Sequence, residues 1–206
     1  MKQIFICFLF LTFVSAKSQE KGDYELGLSS GLNIANVVRV DGLSNTSNSV
    51  NSINFSFSGE YYFSDRWGFR PKLIFDTKGW ADGFLISATE DSITTTDIIL
   101  YYVTIPFLAN WHFGRKRNWY FNFGPYTGFL IDAKDSISAL NFTDEINKTD
   151  FGLAFGIGYK FRINEKIYLF AEYDAQLGLK NIINVPNGIN LRNARQSFNL
   201  GALMKF

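Results

Sequence analysis

The sequence predicts an all-β protein, an eight-stranded antiparallel up-and-down transmembrane β-barrel. Three observations predict it. Beyond residue 19 the chain resolves into eight segments in which apolar and polar residues alternate, the period of a strand with two different surroundings. The apolar faces of these segments carry no Asp, Glu, Lys or Arg. The connections alternate short and long, the pattern of periplasmic turns and extracellular loops.

The amino terminus supplies the compartment. Lys2 precedes the apolar run Ile4 to Val14, and Val14-Ser15-Ala16 offers a signal peptidase its small residues. A second cleavage point lies after Gln19. The run is too short for a transmembrane helix, which needs ~20 residues. Residues 1–19 are therefore expected to be a cleaved Sec signal and residues 20–206 the barrel. Cys7, inside that run, is the only cysteine, so the mature chain has no disulfide framework, thiolate metal site or cysteine nucleophile. Twenty basic against 19 acidic residues give no basic surplus for nucleic acid.

The first segment sets Tyr24, Leu26, Leu28, Leu32 and Ile34 against Glu25, Gly27, Ser29, Gly31 and Asn33. The second sets Ile53, Phe55, Phe57, Tyr61 and Phe63 against Asn54, Ser58, Glu60 and Tyr62, and the third Trp67, Phe69, Pro71, Leu73 and Phe75 against Arg70, Lys72, Asp76 and Lys78. In the fourth, Ile99 to Trp111 alternate with Leu100 to His112. The fifth opposes Trp119, Phe121, Phe123, Phe129 and Ile131 to Asn118, Tyr120, Asn122 and Gly124. The sixth opposes Phe151, Leu153, Phe155, Ile157, Tyr159 and Phe161 to Asp150, Gly152, Gly156, Gly158, Lys160 and Arg162. The seventh sets Ile167, Leu169, Tyr173 and Leu177 against Tyr168, Phe170, Glu172 and Asp174. The last sets Phe198, Leu200, Ala202, Met204 and Phe206 against Arg195, Ser197, Asn199 and Lys205. Residues 64–66, 114–117 and 163–166 read as tight turns, and 36–51, 80–96, 132–148 and 179–193 as long polar loops.

Alternation alone does not say which face looks outward. A lipocalin-like barrel would turn its apolar face inward around a ligand. The inverted arrangement fits better, because a charge at mid-bilayer costs ~2–4 kcal/mol and none is present on the apolar faces. Trp67, Trp111, Trp119, Phe121, Tyr159 and Phe161, with Phe69 and Phe206, sit at turn-proximal ends and read as an interfacial aromatic girdle. Glu60, Arg70, Lys72, Asp76, Lys160, Arg162, Glu172, Asp174 and Arg195 read as a polar network inside the lumen. Eight strands enclose only enough space for side chains to fill, so the network is expected to be a plug.

Gly31-Leu32-Asn33-Ile34-Ala35-Asn36-Val37, Tyr102 to Leu108, Asn122-Phe123-Gly124-Pro125-Tyr126 and Gly156-Ile157-Gly158-Tyr159, together with the terminal strand, resemble the PorT-like outer-membrane β-barrel family of Bacteroidetes-type bacteria. The resemblance covers essentially the whole mature chain and implies a role in type IX secretion. Phe198, Leu200, Met204 and Phe206 form the barrel-assembly signal on this reading, with Met204 standing where many barrel termini carry an aromatic residue.

Candidate chemistry is sparse. His112, the sole histidine, is expected as a solvated residue at the turn end, away from the outer leaflet where a barrel acyltransferase or deacylase would need base and nucleophile within reach of each other. Glu172 and Asp174 read as partners of Arg70, Lys72 or Arg162. The loop acids lack calcium-loop spacing. Gly152, Gly156 and Gly158 read as space for bulky lumen neighbours, and Pro71, Pro106 and Pro125 as bulges. The expected protein is a non-enzymatic outer-membrane barrel with no cofactor or metal. Its partners are the lipid bilayer, the barrel-assembly machinery and other secretion or envelope proteins. A barrel enzyme acting on lipid A or phospholipid and a soluble lipocalin-like binder stand as the alternatives.

Overall fold

The computed structural model describes residues 21–40, 47–86, 93–137, 141, 143–184 and 190–206, and the expected signal peptide lies outside them. Eight strands follow in order: β1 (Tyr24–Arg39), β2 (Val50–Tyr62), β3 (Trp67–Ile86), β4 (Ile93–Phe113), β5 (Trp119–Asp135), β6 (Thr149–Arg162), β7 (Ile167–Gly178) and β8 (Leu191–Lys205). Each pairs antiparallel with the next, and β8 returns to β1 from Arg39↔Leu191 to Glu25↔Lys205, closing the barrel. Closure removes the free edges that an open sheet would have to protect.

Every strand sorts its residues by parity as the alternation predicts, and the sorting is inverted relative to a water-soluble barrel. Leu28, Phe55 and Leu200 are 66%, 60% and 59% exposed, whereas Arg70, Lys78 and Lys160 are completely buried. The outward apolar stretches, such as Tyr24 to Ile34 and Phe151 to Phe161, have the length of ~9–11 residues that a tilted strand needs to cross a bilayer. Among the described residues no helix is long and apolar enough to cross.

Two expectations need correction. The segment 80–96 is not a long loop, because β3 and β4 run on to Ile86 and from Ile93, paired from Gly83↔Thr96 to Ile86↔Ile93. The β-branched run Ile93-Thr94-Thr95-Thr96 favours this extension. A register shift between Trp80 and Gly83, with positive φ at Gly79 and Asp82, lets β3 bend at that level. The prolines also do not mark register shifts. Registers are the same on either side of Pro71, Pro106 and Pro125, and the other shift in the wall lies at Tyr101/Tyr102. Pairing simply skips the positions opposite Pro71 on β2, opposite Pro106 on β3 and opposite Pro125 on β4. A proline removes a donor without adding a residue, so the ladder breaks locally and resumes in step.

Candidate functional site

Among the described residues, the lumen is where this fold concentrates its charged side chains. Its side chains stack in layers from the turn end to the loop end. At the turn end, Glu60 accepts from Asn110 Nδ2 at 2.8 Å and from His112 Nε2 at 2.7 Å. Its other oxygen lies 3.3 Å from Lys160, which also reaches Glu25 at 2.5 Å and the Tyr62 hydroxyl at 2.6 Å. The next layer centres on Glu172, which receives Arg70 at 3.1 Å, Asn122 at 3.0 Å and Lys72. The Arg70 guanidinium lies 5.2 Å from the rings of both Tyr120 and Phe170. Above it, Arg195 sits between Asp76 at 3.2 Å and Asp174 at 2.9 Å. The loop-side layer pairs Lys78 with Asp150 at 2.9 Å, and Tyr126 and Asn193 donate to the same carboxylate.

Apolar clusters adjoin the charged layers near both ends of the lumen. Tyr168, Phe170 and Leu203 form a buried cluster at the turn end. At the loop end, Val37, Ile98, Leu100, Ala133 and Leu191 from the strands meet Ile146 and Ile182 from the connections. Those two connections are tied together by Asn147 N–H to the Ile182 carbonyl at 2.7 Å and Asn184 N–H to the Glu145 carbonyl at 2.7 Å. Parts of the connections expected to be polar therefore fold inward and cover the charged layers.

Eight of the nine predicted network residues, all but Arg162, are buried in these layers. Arg162 is half-buried at the turn-side rim, where its Nε donates to the Asn164 carbonyl, because its strand has already reached the turn. His112 also needs correction. It is not solvated: it is 0% exposed, hydrogen-bonded to Glu60 and flanked by the Tyr62 and Tyr120 rings at 5.0 and 5.9 Å. Its inward parity on β4 outweighs its closeness to the turn. Glu25, Lys78 and Asp150 are further members whose inward parity could have found them. Among the described residues seven buried carboxylates, Glu25, Glu60, Asp76, Asp135, Asp150, Glu172 and Asp174, thus stand with the five buried cations Arg70, Lys72, Lys78, Lys160 and Arg195 and with His112.

Room for the large side chains comes from glycine. A Cβ at Gly158 would stand 2.3 Å from the Tyr120 hydroxyl, and one at Gly156 2.5 Å from Asn122 Oδ1. Outside the barrel, the turn-proximal aromatics form a run of ring contacts. Trp67 meets Trp111 at 6.3 Å, Trp119 meets Tyr159 at 4.9 Å and Tyr159 meets Phe161 at 4.7 Å, with Phe113 bridging Trp111 and Trp119. Phe121 stacks on Phe123 at 5.8 Å.

The family model for the outer membrane protein beta-barrel domain matches residues 16–184. The chain belongs to that family. Among solved structures, this outer-membrane barrel resembles OprG from Pseudomonas aeruginosa, with 14% identity over 92% of this chain and 98% of that one and a TM-score of 0.58. Neisserial surface protein A is 14% identical over 90% of this chain and 100% of its own, with a TM-score of 0.53. The outer membrane protein AlkL, solved in DMPC lipid bilayers, is 10% identical over 94% of each chain at a TM-score of 0.51. These likenesses establish the eight-stranded outer-membrane fold. Among curated proteins no sequence matches. Phe198, Leu200 and Met204 of β8, and Phe206 directly after it, are all exposed on the outside, at 46–64%.

Proposed function

We propose that this outer-membrane barrel is non-enzymatic, with a closed lumen, and acts through its loop-side surface or its lipid-facing wall as a component of an envelope complex. The observation that carries this reading is the wall-to-wall pairing of the lumen charges: Lys160 of β6 reaches Glu25 of β1 and Glu60 of β2, and Arg70 of β3 reaches Glu172 of β7. Such cross-strand pairs brace the barrel and fill the space that a substrate or solute would use. His112, the sole histidine, is engaged with Glu60 inside this packing, which disfavours a base working on a lipid substrate.

In this reading the tight turns face the periplasm and the longer connections face outward. The Trp67 to Phe161 aromatics anchor the periplasmic interface, and the outward residues of β8 are read by the barrel-assembly machinery. The motifs shared with PorT-like barrels make type IX secretion the favoured process. Affinity purification from native outer membranes tests the general claim: a stoichiometric envelope partner is expected, and recovery of the barrel alone with altered lipid A in its presence would overturn it. Type IX cargo secreted normally by a deletion strain would remove the specific assignment.

A further inference from the structure

Two neighbouring tight turns carry more positive charge than they cancel. The β2–β3 turn supplies Asp65 and Arg66, and the β4–β5 turn supplies Arg115, Lys116 and Arg117. Arg117 ties the two turns together, donating to the Asp65 carbonyl at 3.0 Å and to its carboxylate at 3.2 Å. It holds positive φ, a conformation that a residue other than glycine keeps only where its surroundings fix it. A second tie runs from the His112 N–H to the Arg66 carbonyl at 2.7 Å. The carboxylate of Asp65 is thereby used, and the braced frame presents three further cations. Arg66, Arg115 and Lys116 are all exposed. Among the described residues the Arg115 and Lys116 side chains have no partner, and Arg66 donates only to the His112 carbonyl, at 3.5 Å. At the loop end, by contrast, Lys134 pairs with Asp132 at 2.6 Å and Lys148 with Asp144 at 3.2 Å.

The aromatic belt sets the depth of these cations. Trp67 directly follows Arg66, and Phe113 and Trp119 flank the β4–β5 turn. Their rings join through Trp111, which lies 6.3 Å from Trp67 and 5.0 Å from Phe113, and Phe113 lies 6.3 Å from Trp119. Such belts sit at headgroup level, so the three cations stand where lipid phosphates are found. We propose that the two turns form a headgroup site for an anionic glycerophospholipid of the turn-side leaflet, its phosphodiester held by Arg66, Arg115 and Lys116 and its acyl chains lying along the rings. Charge selects the class. A phosphodiester with a neutral substituent such as glycerol brings an uncompensated negative charge, whereas choline or ethanolamine brings a cation that the three side chains repel. Guanidinium groups also match phosphate oxygens two at a time. The belt ties the cations to lipid depth, which favours a lipid head over an acidic protein. Naming this leaflet the periplasmic one rests on the reading given above; the binding itself does not.

Spin-labelled lipids added to the full barrel in phosphatidylcholine vesicles test this. Labelled phosphatidylglycerol is expected to associate with the barrel ~10-fold more tightly than labelled phosphatidylcholine at low salt, and the preference to shrink at ~1 M salt. Arg115→Gln with Lys116→Gln should cut the preference ~5-fold or more. The charge-keeping exchange Arg115→Lys with Lys116→Arg should retain it, and Lys134→Gln with Lys148→Gln at the loop end should leave it unchanged. A phosphatidylglycerol labelled on its head is expected to broaden the NMR signals of residues 114–117 and to spare those of residues 145–148. Soluble glycerol phosphate should not compete. Equal association of the two lipids, a preference untouched by the turn variant, broadening confined to residues 145–148, or displacement by glycerol phosphate would each overturn the site. Vesicles of one composition offer the same lipids in both leaflets, so none of these results depends on the orientation of the barrel or on its envelope partners.

Discussion

The two faces of β3 differ more than any two domains usually do. Outward stand Trp67, Phe69, Leu73 and Phe75; inward stand Arg70, Lys72, Asp76 and Lys78. The outer face needs no particular partner, since lipid accepts any apolar side chain of suitable size. The inner face needs named partners at hydrogen-bond distance, because a buried charge is tolerated only when it is paired. One strand therefore obeys a rule of composition on one side and a rule of geometry on the other.

That contrast predicts how each face breaks. The largest effect is expected inside: Glu172→Ala leaves Arg70 and Lys72 without their shared carboxylate, at a cost of about 3–5 kcal/mol, measurable by urea unfolding in vesicles. A loss as small as that of a surface substitution would mean that water, not Glu172, neutralises the pair. Outside, Leu153→Arg on β6 is expected to cost about 2–4 kcal/mol and to lower the yield of folded barrel, while Leu153→Phe is accepted. Gly158→Ala comes next, at about 1–3 kcal/mol, because the new methyl group forces the Tyr120 ring to move. The smallest effect belongs to the turn end, where Asp65→Ala removes an exposed 3.2 Å bridge to Arg117 and should change stability by under ~1 kcal/mol.

The same contrast explains what can be read from the sequence. Strand number, face assignment and the charge-free wall are legible because they depend only on parity along one segment. Partner identity is not. Lys160 and Glu25 are separated by most of the chain, and only the closure of β8 onto β1 with its particular register brings them together. His112 misleads because nearness to a turn competes with inward parity, and parity wins. The long β3–β4 ladder is hidden because polar threonines suggest a loop, although their branched side chains suit a strand. The end of the β2–β3 ladder at Phe55↔Phe75, short of the strand ends, has no sequence signature, since Ile53, Phe55 and Phe75 alternate as in any paired strand.

The most direct test of the central claim, a barrel with lipid outside and paired charges inside, is residue-by-residue accessibility along β6. Paramagnetic relaxation by a lipid-soluble nitroxide, measured by NMR from Phe151 to Tyr159 in vesicles, should broaden Leu153, Phe155 and Ile157 and spare Ala154, Gly156 and Gly158. Broadening of both sets alike, or of the second set alone, would contradict the account.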